Sequence, residues 1–146
     1  MTNVVVLRGR VNRPPVEKVL PSGDRLAAID VTVPGGVVGA TTGRGTRSES
    51  VPLAWFGAPA WVAALEPGTE ILVAGRVRRR FFRAGESTQS RTEVVVEQAA
   101  PLRHVTKCVA LLRRVAQEIA AADPAYRSDD ADPARRRRAE PPTSRR

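Results

Sequence analysis

Five stretches of the chain, 3–11, 25–33, 50–57, 69–82 and 90–99, alternate aliphatic residues with small or polar ones. A period of two, in runs too short for helices, is the signature of half-buried strands. The segment "NRPPVEKVLPSGD" (12–24) between the first two carries turn chemistry, with Ser22, Gly23 and Asp24 as a tight turn. "APAWVAALEPG" (58–68) reads as a short helix between the third and fourth strands, stopped by Pro67–Gly68. "RAGESTQ" (83–89) joins the last two strands as a hairpin. Strands in series with one helix and short connections fit a small closed barrel, and do not fit a parallel sheet in which strands and helices alternate. The fold class is all-β.

Composition changes twice along the chain. Residues 1–101 form the barrel domain. Residues 102–122 lose glycine and proline, and Val105, Cys108, Val109, Leu112, Val115, Ala116 and Ile119 make an apolar stripe at helical spacing. This amphipathic helix has no aromatic anchor for a membrane surface, so its stripe is expected against the barrel or against another subunit. Residues 123–146 are rich in Pro, Arg and Asp with almost no large apolar side chain, which predicts a disordered basic tail. Its Arg135–Arg138 run is either a solvated end or an arm that adds phosphate contacts. One cysteine excludes an internal disulfide framework, and no segment approaches the ~20 apolar residues of a membrane helix. A soluble cytoplasmic protein, associated with the nucleoid, is expected, with no membrane partner.

The net charge of +9 is carried almost wholly by arginine, since the only lysines are Lys18 and Lys107. Such a balance suits a polyanionic partner. The densest run is "GRVRRRFFRAG" (75–85), with five arginines around two phenylalanines. Strand parity divides it. Leu72, Ala74, Arg76, Arg78, Arg80 and Phe82 share one face, while Ile71, Val73, Gly75, Val77, Arg79 and Phe81 share the other. The second set begins apolar and suits a core until the strand outruns the barrel. The first becomes a line of guanidinium groups about 6.5–7 Å apart that ends in an aromatic, a spacing close to that of phosphates on an extended single strand. On the third strand Trp55 falls with Val51 and Leu53 on the core face, and Phe56 on the other, where a helix or a stacked base would cover it. Arg10 either extends the basic track or is a solvated surface arginine. The loop 34–49 holds five glycines with Arg44 and Arg47 in its middle, and is either a flexible connection or a binding loop.

Single-stranded nucleic acid suits this pattern better than duplex, because no recognition helix, zinc-finger spacing or basic zipper is present to enter a major groove. His104 and Cys108, four apart, lack a third metal ligand. No nucleophile–base pair is in sight, and "GRGTR" lacks the lysine of a P-loop. A non-enzyme without cofactor or metal is expected.

The blocks "NVVVLRGRVNRPP", "LPSGDRLAAIDVTV", "WFG", "GTEILVAGRVRRRFF" and "RTEVVVEQ" together resemble the bacterial single-stranded DNA-binding proteins, especially the shorter, divergent members from GC-rich actinobacteria. The resemblance covers nearly all of residues 1–99. It implies a five-stranded OB-fold Greek-key barrel that binds single-stranded DNA by stacking and basic contacts, without sequence preference, in replication, repair or recombination. It also implies a homo-oligomer, usually a tetramer, with a dimer as the alternative. Phe56 and Phe82 then fall on stacking positions, with Arg78 and Arg80 on basic ones. The implied DNA contacts are Phe56, Arg76, Arg78, Arg80, Phe82, Arg10, Arg44 and Arg47. Ser50 replaces a common stacking tryptophan, and the 34–49 loop has none. The family's acidic terminal tip is absent, since the chain ends "ARRRRAEPPTSRR", so recruitment of partners through such a tip is not expected. An RNA-binding OB module and a protein-interaction accessory of the primosomal kind remain the alternatives.

Overall fold

The computed structural model describes residues 2–34 and 48–122. The expected loop residues 35–47 and the tail 123–146 lie outside them. Six strands and two helices follow in order: β1 (Val5–Val11), β2 (Val16–Val19), β3 (Arg25–Pro34), β4 (Ser48–Phe56), α1 (Ala60–Ala63), β5 (Glu70–Ala84), β6 (Ser87–Pro101) and α2 (Val105–Ala122). The sheet order is β1-β5-β6-β4-β3-β2, and β1 also pairs with β3 at Arg10–Thr32 and Val11–Val31. That second pairing closes β1, β3, β4, β5 and β6 into the five-stranded OB-type barrel. All pairings are antiparallel except β4–β6, joined through Leu53–Val94 and Ala54–Val95.

Two elements differ from the sequence-based expectation. The 12–24 segment is more than a turn: Val16–Val19 forms a strand on the outer edge of β3, with all four residues exposed. Its short run of four residues carries no alternation that a pattern search could register. The helix expected over 58–68 is a single turn, Ala60–Ala63, after which the N–H groups of Ala64 and Leu65 donate three residues back, to Trp61 and Val62, in the tighter 3-10 pattern.

The core follows the parity of the strands. Val11, Ala27, Ile29, Val31, Leu53, Trp55, Ile71, Val73, Val94 and Val96 point inward, and Val62 and Leu65 from the α1 region plug one end. Trp55 is buried in this cluster and meets Trp61 edge-to-face, with ring centroids 5.8 Å apart. A second cluster lies on the outer wall, where Leu72 and Ala74 of β5 and Ala100 of β6 are covered by Cys108, Leu111 and Val115 of α2. Strand β5 is therefore buried on both faces from Ile71 to Gly75. The stripe expected on α2 is split by this docking: Val105, Val109, Leu112 and Ile119 remain exposed, while Leu111 takes the central barrel contact.

A bulge in the β5–β6 ladder reconciles these clusters. Ala74 pairs with Gln98 but Gly75 pairs with Val96, so Glu97 is the extra residue on β6. The inward set on β6 consequently changes from Val94 and Val96 to Ala99. Gly75 sits against the bulged backbone so closely that an added Cβ would lie 2.0 Å from the carbonyl oxygen of Val95.

Two stability measurements test this packing. Gly75→Ala must push the two strands apart and is expected to destabilise at the upper end of the ~1–3 kcal/mol of overpacked sites. Leu111→Ala is expected to cost about 2–4 kcal/mol, whereas Leu112→Ala, one residue away on the exposed side, costs well under ~1 kcal/mol. Denaturant titrations followed by circular dichroism would contradict the docking of α2 if the two leucines behaved alike.

Candidate nucleic-acid interface

Strands β5 and β6 are 15 residues each, roughly 50 Å of chain, which is longer than the barrel wall. They leave it as a two-stranded ribbon after Val77–Val94. The Asn3 side chain marks the exit: its amide donates to the Val77 carbonyl at 2.9 Å and accepts from the Val77 N–H at 3.0 Å, extending the β1 edge by one side chain. The ribbon turns at Gly85–Glu86, between the pair Ala84–Ser87. Gly85 has φ +66°, the left-handed conformation that the first position of a two-residue hairpin turn requires. The connection is thus shorter than the 83–89 hairpin loop expected from sequence, because the polar residues on either side stay in the ladder.

Residues opposite one another in the ladder point the same way. One ribbon face therefore carries Arg78 with Glu93, Arg80 with Arg91 and Phe82 with Gln89. This face continues onto the barrel wall through Arg76 and reaches β4 at Phe56. The Arg78 guanidinium lies 5.3 Å from the centre of the Phe56 ring, and that of Arg80 lies 5.9 Å from the Phe82 ring. Phe56 and Phe82 are each 39% exposed, enough to offer a ring face to a ligand. The line Arg76, Arg78, Arg80, Phe82 and the neighbouring Phe56 are thus one continuous surface.

Acidic residues of β6 hold the arginines in place. Glu93 is buried and accepts from Arg78 at 2.6 and 3.2 Å, with Arg80 at 4.0 Å. Glu97, the bulge residue, reaches Arg76 at 3.5 Å. Burial of a carboxylate beside a half-buried guanidinium is tolerated only because the two are hydrogen-bonded to each other. The pairs fix the guanidinium groups over the aromatic rings and also lower the free positive charge of the face. Sequence reasoning missed both glutamates. The signal was present, since Glu93 and Glu97 flank Val95 at a spacing of four on a predicted strand.

Other candidates lie elsewhere. Arg10 stands opposite Glu70, 3.8 Å from its carboxylate, and Arg8 approaches the same group at 3.3 Å. That position is six residues along β5 from Arg76, roughly 20 Å, with α2 packed between. Arg10 is not brought to the Arg76–Phe82 line. Arg44 and Arg47 lie outside the described residues. Ser50 is exposed on β4 opposite Thr32. No helix among the described residues is long and apolar enough to cross a membrane.

A closed OB-type barrel with a basic, aromatic face on its longest hairpin is the architecture of a nucleic-acid-binding module. The chain belongs to the single-strand binding protein family, whose model matches residues 2–102. Among solved structures it is similar to a protein titled "Plasmodium falciparum SSB complex with ssDNA", with a TM-score of 0.59 and 19% identity over 68% of this chain and 92% of that one. At that identity the likeness shows the fold. No curated protein matches the chain.

Glu93→Gln tests the electrostatic role of the buried acid. The variant should bind oligo-dT more tightly than the unaltered chain at low salt, because Arg78 and Arg80 lose their internal counter-charge. It should also be less stable, by about 1–3 kcal/mol, the range for a weakened charged hydrogen bond. A salt-dependent fluorescence titration beside a melting curve reads both, and unchanged affinity would show that Glu93 does not compete with the ligand.

Proposed function

We propose that the chain is a non-catalytic protein that binds and protects single-stranded DNA, largely without sequence preference, in replication, repair or recombination. The observation that carries this reading is the continuous surface of Phe56, Arg78, Arg80 and Phe82, in which guanidinium groups stand over exposed rings. Family membership supports it. Bases stack on the two phenylalanines, and phosphates exchange with the carboxylates for the outward N–H groups of the arginines. The chain acts as a homo-oligomer, a tetramer by resemblance to the family or else a dimer. Arg44 and Arg47 of the connecting loop and Arg10 at the far end of β1 add phosphate contacts outside the central surface.

Two stacking positions occupied elsewhere in the family by tryptophan are not aromatic in this chain, so charge contributes a larger share of affinity. The arginines enter binding already paired, however. A phosphate that replaces Glu93 or Glu97 as partner changes the local charge less than one that meets a bare guanidinium. The salt dependence is therefore expected to be shallower than a count of arginines suggests.

The test is a competition among oligo-dT, single-stranded RNA of equal length and duplex DNA. Oligo-dT should win over both; a clear preference for RNA would overturn the DNA assignment. Phe82→Ala should weaken oligo-dT binding by about 1–3 kcal/mol, the value of one stacked base. Arg80→Ala is the better charge variant, because removing Arg78 would strand the buried Glu93 without its partner. If neither Phe82→Ala nor Arg80→Ala altered binding, the ribbon would not be the DNA surface.

A further inference from the structure

The ribbon has a second face. Val77, Arg79, Phe81 and Arg83 alternate with the residues just described, and their partners across the ladder on the ribbon proper are Thr92, Ser90 and Thr88. Three features distinguish this side. Phe81 is 63% exposed, the most open phenylalanine among the described residues. The Arg79 guanidinium lies 5.2 Å from the Phe81 ring centre and donates to the Ser90 hydroxyl at 3.1 and 2.9 Å. Among the described residues no carboxylate pairs with Arg79 or Arg83.

The two faces thus repeat one motif with different means of holding the guanidinium. On the first, Arg78 and Arg80, each next to a ring, share the one carboxylate of Glu93. On the second, a neutral hydroxyl from the same strand fixes the guanidinium and leaves its charge uncompensated. Phe81, with most of its surface in water and a cation held in register beside it, belongs to neither apolar cluster of the fold. A stacked base would cover the ring, and the phosphates on either side would meet Arg79 and Arg83.

We propose that this reverse face, centred on Arg79 and Phe81, is a second contact site for single-stranded nucleic acid, so that one ribbon holds two segments of strand. The inference rests on the proposed function, since it takes the same class of ligand. Short oligonucleotides engage the Phe56–Phe82 face alone, and longer ones pass around the ribbon to the Arg79–Phe81 face.

The experiment compares the full chain with an Arg79→Ala/Phe81→Ala variant, titrated with oligo-dT of increasing length. The variant is expected to match the unaltered chain on short oligonucleotides. On long ones it should bind roughly five- to hundred-fold more weakly, the loss of one stacked base. The salt slope should fall by about 0.7 for the one arginine lost from a single-strand contact. Phe81→Tyr, which keeps the ring, should restore most of the binding in the presence of Arg79. Unchanged melting curves would show that the ribbon is intact, as expected for exposed positions. Ultraviolet cross-linking of long oligo-dT should label the peptide containing Phe81, and this readout stands even if the double variant misfolds. Equal affinity of variant and unaltered chain at every length, with no label on Phe81, would overturn the second site alone. Loss of short and long binding together would also overturn it, by making the two faces one surface. Failure of the unaltered chain to bind oligo-dT would instead remove the proposed function and the second site with it.

Discussion

The ladder between β5 and β6 determines both the shape of the barrel and the shape of the binding surface. Over its first half it forms wall, buried inward by Ile71, Val73, Val94 and Val96 and outward by Leu72, Ala74 and Ala100 under α2. Over its second half it is a free-standing ribbon. The bulge at Glu97 lies between these two regimes. Without the extra residue, Ala99 and Ala100 would exchange faces, and either the barrel interior or the docking site of α2 would receive the wrong side chain. The same residue places a carboxylate beside Arg76. One irregularity thus serves closure of the core, seating of the helix and the charge of the interface.

Arginine density is a poor measure of what a surface offers to a phosphate. Three arginines of the Phe56–Phe82 face have glutamates within 4.0 Å, and one of those glutamates is nearly inaccessible to water. The arrangement trades raw attraction for orientation. Guanidinium groups that would otherwise sample many rotamers are held over rings, so less conformational freedom remains to be lost when a ligand arrives. The reverse face reaches the same geometry through Ser90 and retains its full charge.

Much of this was legible in the sequence, and the parts that were not have physical causes. Strand parity assigned Ile71 and Val73 to the interior, and Arg76, Arg78, Arg80 and Phe82 to one outer line, because β5 itself carries no bulge. Trp55 was legible as core through its phase with Val51 and Leu53. Strand β2 was not, since a four-residue edge strand exposed on both sides leaves no hydrophobic trace. The division of α2 was invisible too: its apolar arc is wider than one contact needs, and only the barrel decides that Leu111 rather than Leu112 is covered. Ion pairing escaped notice because it depends on which residues of two strands stand opposite: a loop over 83–89 would set Arg79 against Glu93, and the two-residue turn at Gly85–Glu86 sets Arg78 there instead. The roles of Phe56, Phe82 and their arginines in binding rest on resemblance and geometry together.

The ribbon is joined to the rest of the molecule on one side only. Beyond the Asn3 clasp at Val77, its backbone hydrogen bonds run between two strands, its side chains other than Arg78 and Glu93 are exposed, and no apolar cluster backs it. Such a segment opens at far less free energy than the barrel, starting from the Gly85–Glu86 turn and stopping at the clasp. Amide exchange should therefore be graded along it, fastest at the tip. A ligand gripping the ribbon would slow that exchange, and part of its binding energy would be spent as local order in the protein. The hairpin is in this sense a hinged finger whose stiffness is set by what it holds.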